Sequence, residues 1–210
     1  MKTKLLLAFL VVAGLIATAQ AQTISVGPRV GVTFAQIHAS GDNADELNDA
    51  AESNTGFQVG AVSNIMLSEL FSIQPELLFI QKGAKVGDSD YFKLRTDYLE
   101  LPILAKVSFG PEQLKGFVTA GPTVGYWLSA KSISEIGGNK ESESYDFEDE
   151  DNRLEIGASF GVGVAYKVGA GELNLDVRYG LGFSSIAEYE GDYKEKNQVF
   201  GVSLAYLFSL

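Results

Sequence analysis

Residues Glu172–Ser184 read ELNLDVRYGLGFS, and the two parities do not mix. Leu173, Leu175, Val177, Tyr179, Leu181 and Phe183 take one side. Asn174, Asp176, Arg178, Gly180, Gly182 and Ser184 take the other. A strict period of two over this length is that of a β-strand whose faces meet unlike surroundings. Seven further segments alternate in the same way: Thr23–Ala35, Thr55–Leu67, Phe71–Val86, Leu94–Phe109, Gly116–Ala130, Arg153–Lys167 and Asn197–Ser209. Eight strands of this kind suit an antiparallel meander.

The connections alternate in length. Gln36–Asn54, Gly87–Lys93, Lys131–Asn152 and Ser185–Lys196 are long and polar, whereas Ser68–Leu70, Gly110–Lys115 and Val168–Gly171 are tight. Every second connection of a meander lies at the same end. The long connections therefore share one rim and the short turns share the other, as in outer-membrane barrels with short periplasmic turns. An even number of strands also puts both termini at the short-turn rim.

Alternation alone leaves open which face points inward, and a soluble lipocalin-like barrel would enclose the apolar one. Volume separates the two. An eight-stranded barrel is only just wide enough inside for its own side chains, and about forty bulky apolar residues exceed that room. The opposite face is rich in glycine, for example Gly27 and Gly31, Gly56 and Gly60, and Gly157, Gly161 and Gly163. Glycine suits a strand where another group approaches closely. The glycine face is therefore expected inside and the apolar face against lipid. The fold class expected is all-β: an eight-stranded antiparallel up-and-down transmembrane barrel with a filled lumen.

The amino terminus agrees with export. Lys2 and Lys4 precede the apolar run Leu5–Ile16, and Ala19-Gln20-Ala21 forms a small-residue cleavage site. Residues 1–21 read as a secretory signal peptide and 22–210 as the barrel domain. Residues 22–210 contain no stretch that reads as a membrane-spanning helix. Formal net charge is −11, and loss of Lys2 and Lys4 with the leader makes it −13. Such an excess of acid argues against nucleic acid as a partner. The chain has no cysteine, which excludes disulfides, thiolate metal sites and cysteine nucleophiles.

The inward parity also carries charge. Arg29, Glu76, Lys82, Glu100, Lys106, Glu155, Lys167, Asp176 and Arg178 are expected in the lumen as an ion-paired network, because charges held away from water need partners. An ion path or gate is the alternative use of such a network. Pro28, Pro75, Pro102 and Pro122 fall inside the strands, and each is expected to mark a bulge or a ladder break. Phe34, Phe71, Tyr91, Phe92, Phe109, Phe117, Tyr126, Trp127, Tyr166, Phe183 and Phe208 lie near strand ends, as interface aromatics do.

Asp97-Tyr98-Leu99-Glu100-Leu101-Pro102-Ile103-Leu104-Ala105-Lys106, with its Tyr-Leu-Glu-Leu-Pro segment, resembles the signature of the PorT-like family of small porin-like outer-membrane β-barrels of Bacteroidota. Gly27-Pro28-Arg29, Gly121-Pro122, Gln74-Pro75-Glu76-Leu77 and the closing aromatics Phe200, Tyr206 and Phe208 agree with it. The resemblance implies a cell-envelope barrel, and its named member is similar to a component needed for secretion across the outer membrane. Barrel chains commonly end in an aromatic read by the assembly machinery; here Ser209 and Leu210 follow Phe208.

Chemistry beyond the barrel is sparse. The third long connection is acidic, but Asp146–Asn152 lacks the glycine and the twelfth-position ligand of a calcium loop. His38 stands near Asp42 and Asp45 with no nucleophile motif beside it. No cofactor and no enzymatic activity are expected. The expected role is structural or one of surface interaction, through long acidic outside loops, and the alternative is a narrow pore or a secretion accessory. The expected partners are outer-membrane lipid and lipopolysaccharide, the barrel-assembly machinery and other envelope proteins.

Overall fold

The structure, a computed structural model, describes residues 23–41, 48, 51–87, 90–145, 153–185 and 194–210. The leader and residues 146–152 lie outside them. The strands are β1 Ile24–Ser40, β2 Ala51–Met66, β3 Phe71–Val86, β4 Tyr91–Phe109, β5 Leu114–Ile136, β6 Asn139–Tyr145, β7 Leu154–Val168, β8 Gly171–Gly182 and β9 Lys194–Ser209. They pair in the order β4-β3-β2-β1-β9-β8-β7-β5, and β4 also pairs with β5. Eight antiparallel strands thus close a ring, and β6 pairs with β5 outside it. β1 begins and β9 ends at one rim, called the terminal rim, where the Leu210 amide donates to the Ile24 carbonyl at 2.9 Å. The short turns share this terminal rim, and the longer connections share the far rim.

The apolar parity points outward. Phe57, Leu77, Phe160 and Leu175 are each about half exposed (47, 50, 51 and 48%). Their inward counterparts Arg29, Glu76, Lys106 and Asp176 are at most 2% exposed. Leu99 to Phe109 on β4 covers about 33 Å at ~3.3 Å per residue, which at a ~40° tilt gives an apolar belt ~25 Å tall. That is the thickness of the lipid-facing band of an outer-membrane barrel. Inside, Val62, Ala205 and Leu207 form a small apolar cluster, and Ala35, Ile80, Tyr98 and Val199 form another with Trp127 against it.

Several expectations need correction. β1, β2, β4, β5 and β9 run past the expected boundaries at the far rim, because above the lipid a ladder needs only hydrogen bonds and no apolar face. The expected loop Lys131–Asn152 instead begins as a two-stranded ribbon, β5–β6, that turns at Gly137-Gly138 with φ of 57° and 79°. Two adjacent positive φ values are those of a tight hairpin turn that glycine accepts freely. The prolines mark ladder breaks, the second of the two outcomes expected for them. The β1–β9 ladder skips Gly27 and Pro28, yet Val26↔Phe208 and Arg29↔Ala205 keep one register. At such a gap the strands close in: a Cβ on Gly27 would run into the Tyr206 carbonyl oxygen.

A bulge does occur where Asp97 faces Ser129 and Tyr98 faces Trp127, leaving Leu128 as the extra residue of β5. Trp127 keeps the inward side of its odd number and stacks on Tyr98 at 6.0 Å, whereas beyond Leu128 the sides reverse, which puts Ser129 outside with its hydroxyl donating to Asp97 at 2.9 Å. Neither Trp127 nor Phe117 is the interface aromatic expected. Phe117 is 2% exposed and lies inside.

Candidate functional site in the barrel lumen

Two layers of paired charge cross the lumen. The first joins β1, β3 and β8. Arg178 donates to both carboxylate oxygens of Glu76, at 2.8 and 3.0 Å, and Arg29 donates to Asp176 at 2.6 Å. Arg29 Nε also lies 3.7 Å from Glu76, and Arg178 lies 3.7 Å from Asp176. Gln74 completes the shell of Glu76 with a donated bond of 2.6 Å. Two guanidiniums and two carboxylates thus form one closed, neutral cluster. Planar guanidiniums suit this task because their donors lie in a fixed fork that matches a carboxylate.

The second layer lies toward the far rim. Lys82 of β3 reaches Glu100 of β4 at 2.6 Å and Glu155 of β7 at 2.5 Å. Asn197 of β9 donates to Glu155 and to the Tyr98 hydroxyl, the latter at 3.4 Å. The Lys82 ammonium also sits 4.7 Å from the centre of the Tyr98 ring. This layer holds one more acid than base. Lys106, nearer the terminal rim, restores the balance: Asn174 accepts from it at 2.8 Å, Phe117 lies under it at 4.1 Å, and Glu172 is 4.0 Å away.

Eight of the nine expected charges therefore meet in the lumen, with four bases and four acids among them. Lys167 does not. Its parity is inward, but it stands at the terminal rim with a side chain 52% exposed, paired with Glu112 of the β4–β5 turn. Strand parity gives the side of a residue and leaves its depth open, and β7 has already left the lumen at this point.

The polar partners Gln58, Gln74, Tyr98, Asn174, Asn197 and Ser203 do not belong to the charge network expected from the sequence. Each has inward parity, which is the signal that locates them. Gln58 of β2 donates to Ser203 of β9 over Gly31 of the strand between them. The free space between the layers, bordered by Lys82, Glu100, Glu155 and Arg178, is about 30 Å3, the room of one or two waters.

The chemistry of this arrangement is cohesive. Every carboxylate accepts from a cation or amide, so none is left poised as a free base. Among the described residues no three His, Cys, Asp or Glu side chains gather as metal ligands. His38 lies exposed on β1 opposite Lys196, and Asp42 and Asp45 lie outside the described residues.

A family model described as the outer membrane protein beta-barrel domain matches residues 19–188. The chain belongs to that family. Membership puts this barrel in the outer membrane, with its apolar belt in lipid. Among solved structures it is similar to Neisserial surface protein A, at 15% identity and a TM-score of 0.43, covering 86% of this chain and 95% of that one. It is also similar to Ail, the attachment invasion locus protein of Yersinia pestis, at 13% identity and a TM-score of 0.43, covering 88% and 98%. The N-terminal β-barrel domain of Pseudomonas aeruginosa OprF is 13% identical with a TM-score of 0.32, covering 84% and 96%. The search of curated proteins finds no match.

Proposed function

We propose that this outer-membrane barrel is a non-enzymatic, closed anchor that holds a polar far rim at the cell surface for contact with other envelope or external molecules. The observation that carries the reading is the pair of charge layers. They span the lumen from wall to wall and leave space for water alone. A protein that conducts solutes keeps its charges along an open path, whereas here they neutralise one another across the axis. The far-rim ribbon β5–β6 and the overhanging ends of β1, β2 and β9 are the parts such an anchor would present. The assembly machinery, surrounding lipid with lipopolysaccharide, and envelope proteins reached through this rim are the partners of this reading.

Placement among PorT-like barrels is part of the same proposal. In the resembling segment Tyr98, Glu100 and Pro102 all face the lumen, and Tyr98 and Glu100 both contact Lys82. The segment thus contributes to the far charge layer, which gives its alternation a physical reason.

Single-channel recording in planar bilayers tests the reading. Purified barrel is expected to insert without stable openings at neutral pH. Steady openings would overturn the closed lumen and favour a narrow pore or secretion accessory instead.

A further inference from the structure

The outer wall changes character just above the apolar belt. On β4 the outward residues after Leu99 are Asp97, Arg95 and Lys93, followed by Tyr91. Arg95 is four residues beyond Leu99, about 13 Å along the strand and ~10 Å in height at the tilt used above. That is headgroup level.

Here the register sets like charges side by side. Lys85 of β3 is directly opposite Lys93, and Arg95 is directly opposite Lys131 of β5. Antiparallel partners share a face, so these four cations form one outward ladder. Lys140 of β6 joins the same face opposite Glu135. Like charges placed directly across a sheet destabilise it. Partial burial, and then the charges of Arg95, Lys140 and Lys85, lower the pKa of Lys93.

The acids of this face are already engaged. Glu52 pairs with Lys85 at 3.2 Å, and Glu135 accepts from the Tyr91 hydroxyl at 3.0 Å. Asp97 accepts from Gln81 at 3.0 Å and from Ser129 at 2.9 Å, with Arg95 at 3.6 Å. Among the described residues no carboxylate lies within ion-pair distance of Lys93 or Lys131. The remaining acids of the ribbon, Glu141 and Glu143, pair with Ser134 and Ser132 on its opposite face. In a chain of net charge −11, a concentration of cations at one height on three adjacent strands needs an anion to offset it.

We propose that Lys93, Arg95 and Lys131, with Lys85 at their flank, form a site on the outer wall for the phosphate of a lipopolysaccharide headgroup, its acyl chains lying on the apolar belt below. The site rests on the reading above in one respect, that the far rim faces outside. A phosphorylated glycolipid fits better than a soluble anion because the cations stand directly over the lipid-facing surface. The ammonium groups supply point charges and Arg95 supplies a fork, the usual combination for phosphate.

The test measures binding of lipid A to detergent-purified barrel by native mass spectrometry. Lipid A carrying its phosphates is compared with the same lipid after their removal, and inorganic phosphate is added as competitor. The phosphorylated form is expected to bind about 10–30-fold more tightly, from ~1 kcal/mol for each lysine near an anionic surface. Lys93→Gln/Lys131→Gln is expected to lose that factor. Lys115→Gln/Lys167→Gln, with the same change of net charge at the other rim, is expected to keep it. Equal binding of the two lipids, or equal loss in both double variants, would overturn the site. Displacement by equimolar inorganic phosphate would overturn its assignment to lipid. If the first double variant does not fold, the comparison of the two lipids on the unaltered barrel decides alone. A failure here leaves the bilayer recordings untouched, so the two proposals fail separately.

Discussion

Glu76→Gln removes one charge from the centre of the first lumen layer and changes almost nothing in volume. Glu76 is completely buried and accepts two bonds from Arg178 and one from Gln74, with Arg29 at 3.7 Å. A hydrogen bond to a charged group contributes about 1.5–3 kcal/mol, so the Arg178 fork alone represents ~3–6 kcal/mol before relaxation. Breaking one side of a buried pair costs about 3–5 kcal/mol, since the stranded cation stays buried. The amide would also turn its NH2 toward a guanidinium. The loss expected is about 4 kcal/mol. With a urea slope near ~2 kcal/mol/M, the midpoint falls by about 2 M. Reversible folding into detergent or short-chain vesicles, followed through the fluorescence of Trp127, the only tryptophan, measures it. Glu76→Gln/Arg178→Met removes both partners and leaves Arg29 with Asp176. The double variant is expected to recover at least ~2 kcal/mol relative to the sum of the singles. A loss below ~1 kcal/mol for Glu76→Gln, or a strictly additive double variant, would refute the idea that these charges are held by one another.

Leu175→Arg at mid-belt is expected to cost ~2–4 kcal/mol in the same urea titration, whereas Leu114→Arg at the belt edge costs about 0–1 kcal/mol; equal losses would contradict the assigned height of the belt. Gly27→Ala drives a methyl into the Tyr206 carbonyl and is expected to cost about 1–3 kcal/mol. Gly180→Ala, whose nearest obstruction is 3.8 Å away, is expected to leave the midpoint in place, and a reversed order would refute the close approach at Gly27. Lys167→Ala is expected to leave the midpoint unchanged, while Lys82→Ala is expected to cost about 3–5 kcal/mol of stability and lower it. A hydrogen bond and the charge of Lys167 hold the Glu112 carboxyl below its ordinary range. A depressed carboxylate favours the folded form above its unfolded pKa and loses that effect as pH falls through its folded one. In Lys167→Ala, carboxyl chemical shifts are expected to show the Glu112 titration moving back up.

Strand parity carried the fold and most of the lumen, because a thin barrel forces every inward residue to be small or paired. Arg29, Glu76, Asp176 and Arg178 could be placed on the lumen side from alternation, and the need for neutrality said that they had partners there. Depth was the harder coordinate. Lys167 has the parity of Glu155 but lies twelve residues along β7, past the end of the plug. The register of β5 hid a second fact: one extra residue at Leu128 reverses the sides beyond it, so Ser129 lies outside and Ala130 inside, against the parity of the strand before them. Phe117 was read by its place near a strand end, although its odd number matched the inward Thr119 and Thr123. The ribbon β5–β6 was legible in Gly137-Gly138 between alternating residues, a hairpin signal masked by the acidity around it. The cation ladder required register, which no single strand carries.

Closing the ring consumes the hydrogen-bonding capacity of eight strands, yet among the described residues β6 pairs with β5 alone and shows a second flank. Such a flank is a template on which a foreign chain can stack, and two barrels crowded in the same membrane could fuse their ribbons through it. Its sequence, NKESESY, counters this with a lysine and two glutamates in seven residues and with no β-branched side chain. Strands so charged repel copies of themselves, which keeps neighbouring barrels free to drift past one another. Replacing those glutamates with valine is therefore expected to make the barrel more prone to self-association.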